Sequence, residues 1–150
     1  MRPLSLADME QAGYAQTEGP RLLVRIPTDW PADGEKRIGY VSILRLVECT
    51  RELHWRRDVA PHADTARLDP ITKSATADFA SPIMADAQVA CEYAVTWLRP
   101  RSYGLRVKIV DEDGGTLAQV DLASVWVDPG SLRPVVPDQC VTAAMSRLMR

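Results

Sequence analysis

The 150-residue chain has few of the residues on which disulfide, metal and triad chemistry depend: it contains three cysteines and two histidines. Cys49, Cys91 and Cys140 are widely spaced and odd in number. This spacing argues against a disulfide framework and a zinc site, and it fits a reducing cytoplasm. The two histidines, His54 and His62, suggest no Ser-His-Asp arrangement. We therefore expect neither a metal nor a cofactor, and we expect a cytoplasmic protein.

The chain also lacks an excess of charge and a long apolar run. Its net charge is −2, which gives no electrostatic indication of a nucleic-acid or anionic-membrane partner. No apolar run reaches the ~20 residues of a membrane span, and the first twenty residues contain no apolar segment typical of a signal peptide. A hydrophobic content of 46% predicts one globular domain over residues 1–150. Residues 1–19 are interpreted as an N-terminal arm and residues 138–150 as a tail.

What the chain does contain is one strong helical pattern followed by four strand-like patterns. From residue 40 to residue 57 there is no glycine or proline, and Ile43, Leu46, Thr50 and Leu53 recur at helical spacing. The segments with strand-like patterns are 21–27 before this helix and 71–80, 87–98, 103–111 and 116–128 after it. A long antiparallel sheet packed on one helix buries the apolar faces of both. The sequence therefore predicts an α+β fold.

The order of these elements, together with three sequence blocks, resembles the hotdog-fold thioesterases. The blocks are "DGEKRIGYVSILRLVECTRE", "DFASPIMADAQV" and "WLRPRSYGLRVKIVDEDG". The similarity spans about residues 21–137 and is greatest to the 4-hydroxybenzoyl-CoA thioesterase-like group of acyl-CoA thioesterases. It implies an antiparallel sheet of five or six strands wrapped around one long central helix. It also implies homodimers, with homotetramers common.

The resemblance also implies which carboxylates take part in catalysis. The first block aligns without a gap, so that Asp33 falls on the family's catalytic aspartate and Glu48 on its helix glutamate. Asp29 is the rival for the loop position, because the loop reads "DWPAD", a wider spacing than the family's Asp-x-Asp. Asp33 also has a structural interpretation, since Asp-Gly is a common turn pair. Glu48 has one too, because arginines lie three residues to either side of it.

The start of the predicted helix supplies the candidate substrate-binding groups. A helix N-terminus has free backbone N–H groups and a partial positive charge, which suit a developing oxyanion. We therefore assign substrate binding to Gly39, Tyr40, Val41 and Ser42. Trp30 is a candidate lid over the acyl chain.

The predicted function is hydrolysis of an acyl thioester of CoA or of an acyl carrier protein. One alternative is a non-catalytic hotdog protein that binds acyl-CoA or a carrier-bound chain. Another is a chain-releasing or editing thioesterase of a natural-product pathway. The sequence leaves open which loop aspartate reacts, and whether it attacks the carbonyl directly or activates a water molecule.

Overall fold

The six strands form a single antiparallel sheet. The computed structural model describes residues 3–150. The order of the strands across the sheet is β1-β2-β4-β5-β6-β3, and every neighbouring pair is antiparallel. The strands are β1 (Ala15–Thr17), β2 (Arg21–Arg25), β3 (Asp69–Phe79), β4 (Gln88–Leu98), β5 (Ser102–Val110) and β6 (Thr116–Val127). The predicted antiparallel sheet is confirmed.

The long helix, α2 (Tyr40–His54), lies across one face of this sheet. Its buried stripe includes Ile43, Leu46 and Leu53, which pack against the inner face of β2 and β4. The chain then continues through one π-helical turn, Trp55–Val59, and a short 3₁₀ turn, Ala60–His62. The prediction of one central helix is therefore confirmed.

The predicted N-terminal arm contains regular structure in its described part. Helix α1 (Leu6–Gln11) begins with a capping box, in which Ser5 and Asp8 satisfy each other's backbone N–H groups. Leu6 and Met9 are buried, and the backbone N–H of Leu6 donates to Glu52 on α2. α1 therefore covers the C-terminal half of the central helix.

The C-terminal tail also packs on the sheet. Helix α3 (Gln139–Ser146) is capped by Asp138, whose side chain accepts from the backbone N–H of Cys140. After it, the backbone of Val95 in β4 exchanges hydrogen bonds with Leu148 and Arg150. These bonds extend the sheet beside the part of β4 that β2 does not cover.

Strand β4 departs from the predicted alternation at its end. Val89 to Val95 alternate toward the core as expected, but a bulge between Val95 and Trp97 shifts the register. Leu98 then pairs with the buried Tyr103 and Trp97 pairs with Gly104. An unbroken alternation from Val89 would place Trp97 on the inward face, but the bulge moves the inward position to Leu98.

Among the described residues, no helix is both long and apolar enough to cross a membrane.

Candidate functional site

Asp33 lies in a small hairpin immediately before α2. Ala32 pairs with Ile38 at the base of this hairpin. The backbone N–H of Asp33 donates to the carbonyl of Arg37 (3.0 Å), and the N–H of Lys36 donates to the carbonyl of Asp33 (2.9 Å). Lys36 has a φ of 66°, a conformation that is costly for a residue with a side chain. The hairpin is therefore a defined turn with local strain.

The Asp33 carboxylate is bound within its own turn. Oδ1 accepts from the backbone N–H groups of Glu35 (2.9 Å) and Arg37 (3.0 Å), and Oδ2 accepts from Nε of Arg37 (2.7 Å). The backbone N–H of Arg37, followed by its guanidinium, lowers the pKa of Asp33 below the ordinary value. The carboxylate is therefore an anion at neutral pH. It also stabilises the turn, as the Asp-Gly pattern suggested.

The start of α2 offers backbone donors next to this hairpin that have no acceptor among residues 3–150. Gly39 is the N-cap and provides no side-chain acceptor, and the first helical bond runs from the N–H of Ile43 to the carbonyl of Gly39. The N–H groups of Tyr40, Val41 and Ser42 precede that bond, so no residue one turn earlier in the helix accepts from them. The side chains of Tyr40 and Val41 are 65% and 60% exposed. Ser42 is buried, so its hydroxyl faces the core rather than the surface.

A second loop supports both the hairpin and the helix start. The N–H of Ile38 donates to the carbonyl of Ile83, and the N–H of Ala85 donates to the carbonyl of Lys36. Asp86 in this loop has a φ of 65°. Two non-glycine residues with a left-handed backbone thus lie on loops that contact each other. Such strain is concentrated at functional sites.

Asp29 and Trp30 lie in the preceding turn. The N–H of Trp30 donates to the carbonyl of Pro27 (3.3 Å), and Asp29 is exposed at the turn. Trp30 is only 3% exposed and belongs to the apolar core. The indole is therefore packed inside the protomer, which does not favour the predicted lid.

Glu48 is not brought to the helix start. It lies eight residues after Tyr40, about 12 Å along the helix axis. Its carboxylate accepts from Nε (3.1 Å) and Nη2 (2.8 Å) of Arg51. This is one of the two i,i+3 ion pairs that the arginine spacing allowed; in the described part of the chain Glu48 pairs with Arg51 and not with Arg45.

A cleft of about 430 Å³ lies beyond Glu48 on the same helix. It is lined by Arg51 and Trp55 of α2 and its π-helical turn, by Leu6 of α1 and by Pro70 of β3, among others. Arg51 is therefore shared between the ion pair with Glu48 and the wall of this cleft. The cleft does not include the Asp33 hairpin.

The residue that sequence reasoning missed at this site is Arg37. Its only signal in the sequence is a charge opposite to that of Asp33 four residues away, which indicates a contact in a helix but not in a loop. A positive φ at Lys36 closes the turn and brings the two side chains together. Within residues 3–150 no group of three or more His, Cys, Asp or Glu side chains could hold a metal ion.

Comparison with known proteins identifies the architecture. No family model matches the chain, and no curated protein sequence matches it. Solved structures do match: the Dynemicin thioesterase has a TM-score of 0.75 and 18% identity, covering 89% of this chain and 99% of that one. A 1,4-dihydroxy-2-naphthoyl-CoA thioesterase from Synechocystis has a TM-score of 0.72 and 13% identity, covering 85% and 96%. A gentisyl-coenzyme A thioesterase has a TM-score of 0.68 and 14% identity, covering 83% and 98%.

The chain has the hotdog fold. The resemblance drawn from the sequence is thereby confirmed at the level of the fold. In this hotdog domain the central helix is α2, and the Asp33 hairpin leads directly into its N-terminus. At identities of 13% to 18%, the reaction has to be argued from the domain's own residues.

Proposed function

We propose that this hotdog domain is a thioesterase that hydrolyses an acyl thioester of CoA or of an acyl carrier protein. The observation that carries the proposal is the uncapped start of α2 beside a turn that holds an ionised aspartate. A thioester carbonyl needs donors for the oxygen that becomes negative, and a carboxylate to attack the carbon or activate water. The backbone donors at the start of α2 and the Asp33 carboxylate lie on adjacent segments of this chain.

In the proposed reaction, the carbonyl oxygen accepts from the backbone N–H groups of Tyr40 and Val41. If Asp33 acts as base, it takes a proton from water while the hydroxyl adds to the carbonyl carbon. The carbon–sulfur bond then breaks, and the proton passes to the thiolate. If Asp33 acts as nucleophile, it forms an anhydride and releases the thiolate. Water then cleaves the anhydride, which restores the Asp33 carboxylate, and the proton given up passes to the thiolate. Both routes consume one water molecule and yield one acid and one thiol.

The other two carboxylates take secondary places in this proposal. Asp29 lies in the preceding exposed turn and is the rival for the reacting position. Glu48 is separated from the helix start by about 12 Å along α2 and is held by Arg51. We assign Glu48 to orienting water or substrate further along the helix.

The fold and the exposed apolar side chains at the helix start support the proposed substrate class. Two of the structural neighbours are named for CoA thioesters of aromatic acids. The Dynemicin thioesterase binds a polyene in its crystal structures. Tyr40 and Val41 present a mostly exposed apolar surface beside the free amides, which suits an acyl group. We extend the thioester substrate to this chain, with CoA and a carrier protein as alternative thiols.

We also propose that the protein assembles as a homodimer, with a tetramer as the larger alternative. Strand β3 is an edge of the sheet, is eleven residues long and is exposed along almost its whole length. A long edge strand with unpaired backbone groups is a template for pairing with another strand. An isologous pair of β3 strands would satisfy both edges at once.

A second candidate function is binding of the thioester without hydrolysis. The observation in its favour is that Asp33 and Glu48 are each paired with an arginine of the same chain. A carboxylate committed to an ion pair can serve structure alone. Such a protein would be thermally stabilised by acyl-CoAs and would release no thiol.

The test is thiol release from a panel of aliphatic and aromatic acyl-CoAs, and from the matching acyl-carrier substrates. The wild type is compared with Asp33→Asn, Asp29→Asn and Glu48→Gln. Asp113→Asn, in the β5–β6 turn, is the control for the same change in an exposed loop. We expect Asp33→Asn to lose at least about 10²-fold in kcat and the control to keep full activity.

The alternatives give different results in the same panel. If Asp29→Asn is inactive and Asp33→Asn is not, the reacting aspartate is Asp29. A wild type that binds the panel but releases no thiol is the non-catalytic protein. A strong preference for the carrier-bound chain over its CoA ester indicates the chain-releasing or editing enzyme.

A further inference from the structure

The hydrogen bonds of Asp33 leave one of its carboxylate oxygens partly free. An ionised carboxylate has about four lone-pair sites, two on each oxygen. Oδ1 accepts two backbone N–H groups, from Glu35 and Arg37, and within residues 3–150 the one donor to Oδ2 is Nε of Arg37. The remaining lone pair is therefore on Oδ2, and its direction depends on where Arg37 holds that oxygen.

We propose that Arg37 is a positioning residue, which holds Asp33 so that the free lone pair of Oδ2 reaches the scissile carbonyl or the attacking water. This inference rests on the proposed thioesterase function. It adds to that function the identity of the reacting oxygen and the residue that orients it.

The guanidinium is well placed for this role because two of its three nitrogens contact carboxylates of the same turn. Nε donates to Oδ2 of Asp33 (2.7 Å), and Nη2 lies 3.3 Å from Oε2 of Glu35. A planar guanidinium that is bound at two points keeps a more defined orientation than a single ammonium donor.

The backbone of Arg37 is also anchored from outside the hairpin. Arg37 forms an antiparallel bridge with Met84, and the neighbouring Ile38 donates its N–H to Ile83. Lys36, held at a φ of 66°, donates its N–H to Asp33 and accepts from Ala85. The position of the guanidinium is thus set by the loop 81–87, which itself adjoins the start of α2.

Arg37 acts on the charge state of Asp33 through both its backbone and its side chain. The backbone N–H and then the guanidinium of Arg37 lower the pKa of Asp33. On the facing loop, the carboxylate of Asp86 lies 3.7 Å from Arg25. Removing the guanidinium alone should therefore raise the pKa of Asp33 while the backbone donors remain.

The experiment compares Arg37→Gln, Arg37→Lys and the control Lys36→Gln with the wild type. Lys36→Gln removes a positive charge from the same turn, and no ion pair of Lys36 is present among the described residues. The first measurement is kcat and KM against pH for the best thioester of the panel. The second is the ¹³C NMR titration of the Asp33 carboxyl, assigned by its disappearance in Asp33→Asn.

We expect Arg37→Gln to lower kcat about tenfold or more through misplacement of Oδ2, and to change KM little. The acid limb of kcat and the NMR midpoint of Asp33 should both move to higher pH, because the carboxylate loses a partner of its charged form. Arg37→Lys should return the acid limb and the NMR midpoint of Asp33 most of the way to their wild-type pH, but it should restore less of kcat. Lys36→Gln should behave as the wild type.

The inference is overturned if Arg37→Gln keeps the wild-type acid limb and kcat, or if Lys36→Gln has the same effects as Arg37→Gln. If Asp33→Asn is inactive in that case, the proposed function stands without a role for Arg37. If Asp33→Asn is fully active, the assignment of Asp33 fails, and the positioning role of Arg37 fails with it.

Discussion

At the scale of single residues, Gly104 shows how closely the outer surface of the sheet is packed. It lies in β5 opposite Trp97, at the place where the bulge shifts β4. A Cβ at this position would lie 2.5 Å from Cδ1 of Trp97 and 2.6 Å from Oγ1 of Thr96. The glycine is therefore required by the approach of the indole and not by its backbone conformation.

We predict that Gly104→Ala destabilises the protein by about 1 to 3 kcal/mol through overpacking. The free energy of unfolding in urea is the measurement, with Gly34→Ala as the control, since a Cβ at Gly34 meets no atom within 4 Å. The double variant Trp97→Ala/Gly104→Ala should recover the part of the loss that comes from the clash. Equal stability of Gly104→Ala and Gly34→Ala would contradict the close contact.

At the scale of elements, a buried hydrogen-bond cluster ties the end of α2 to β4. Oδ2 of Asp58, in the π-helical turn, accepts from the hydroxyl of Tyr93 (2.7 Å) and lies 2.9 Å from Nδ1 of His54. His54 is buried, and its ring packs edge to face against that of Tyr93, with the two ring centroids 5.3 Å apart. The carboxylate thus joins the last turn of the helix, the π-helical turn and the sheet.

We predict that Tyr93→Phe lowers the free energy of unfolding by about 2 kcal/mol, because Asp58 loses a donor to a mostly buried charge. Tyr14→Phe is the control, since Tyr14 packs against the core and no hydrogen bond of its hydroxyl is present in the described chain. Burial, followed by the hydrogen bond to Asp58, raises the pKa of Tyr93 well above that of a free tyrosine.

This pKa shift gives the cluster a dependence on alkaline pH. Above the ordinary tyrosine pKa of about 10, the unfolded chain loses the phenolic proton while the folded protein keeps it. The contribution of Tyr93 is therefore complete below that pH and is lost as the pH rises further. Tyr93→Phe should show a shallower fall in stability over this range than Tyr14→Phe.

The elements that sequence reasoning found and missed differ in how their signals arise. α2 and strands β4 to β6 are long, and their apolar periods are visible in the residues themselves. α1 has six residues, and only Leu6 and Met9 are buried, so its period is too short to detect. The bulge before Trp97 and the ion pair between Asp33 and Arg37 depend on local backbone geometry, which the apolar period does not reveal. The sequence pattern therefore located the central helix, whereas the assignment of Asp33 as the loop acid stays a prediction and its contact with Arg37 was not foreseen.

At the scale of the whole molecule, the edge strand β3 is exposed along almost its whole length. Phe79 at the end of β3 is 45% exposed. Ala75 and Ala77 pair with Leu122 and Val120 of β6, which point into the core, yet both alanines are exposed. The inner face of β3 therefore extends beyond the apolar surface that its own protomer covers. A second copy would cover this strip and pair with the edge.

We predict that a proline in β3 separates the proposed dimer into folded monomers. In an antiparallel edge strand, successive residues direct their N–H groups alternately to the neighbouring strand and outward. Of Ala75→Pro and Thr76→Pro, one therefore removes an outward donor and leaves the ladder with β6 intact. That variant should keep its circular dichroism spectrum and halve its mass in sedimentation equilibrium, while the other unfolds at lower temperature.

Gln16→Pro in β1, the three-residue strand at the opposite edge, should leave the mass unchanged. A wild type that sediments as a monomer, or two β3 variants that both keep the wild-type mass, would show that β3 is not the interface.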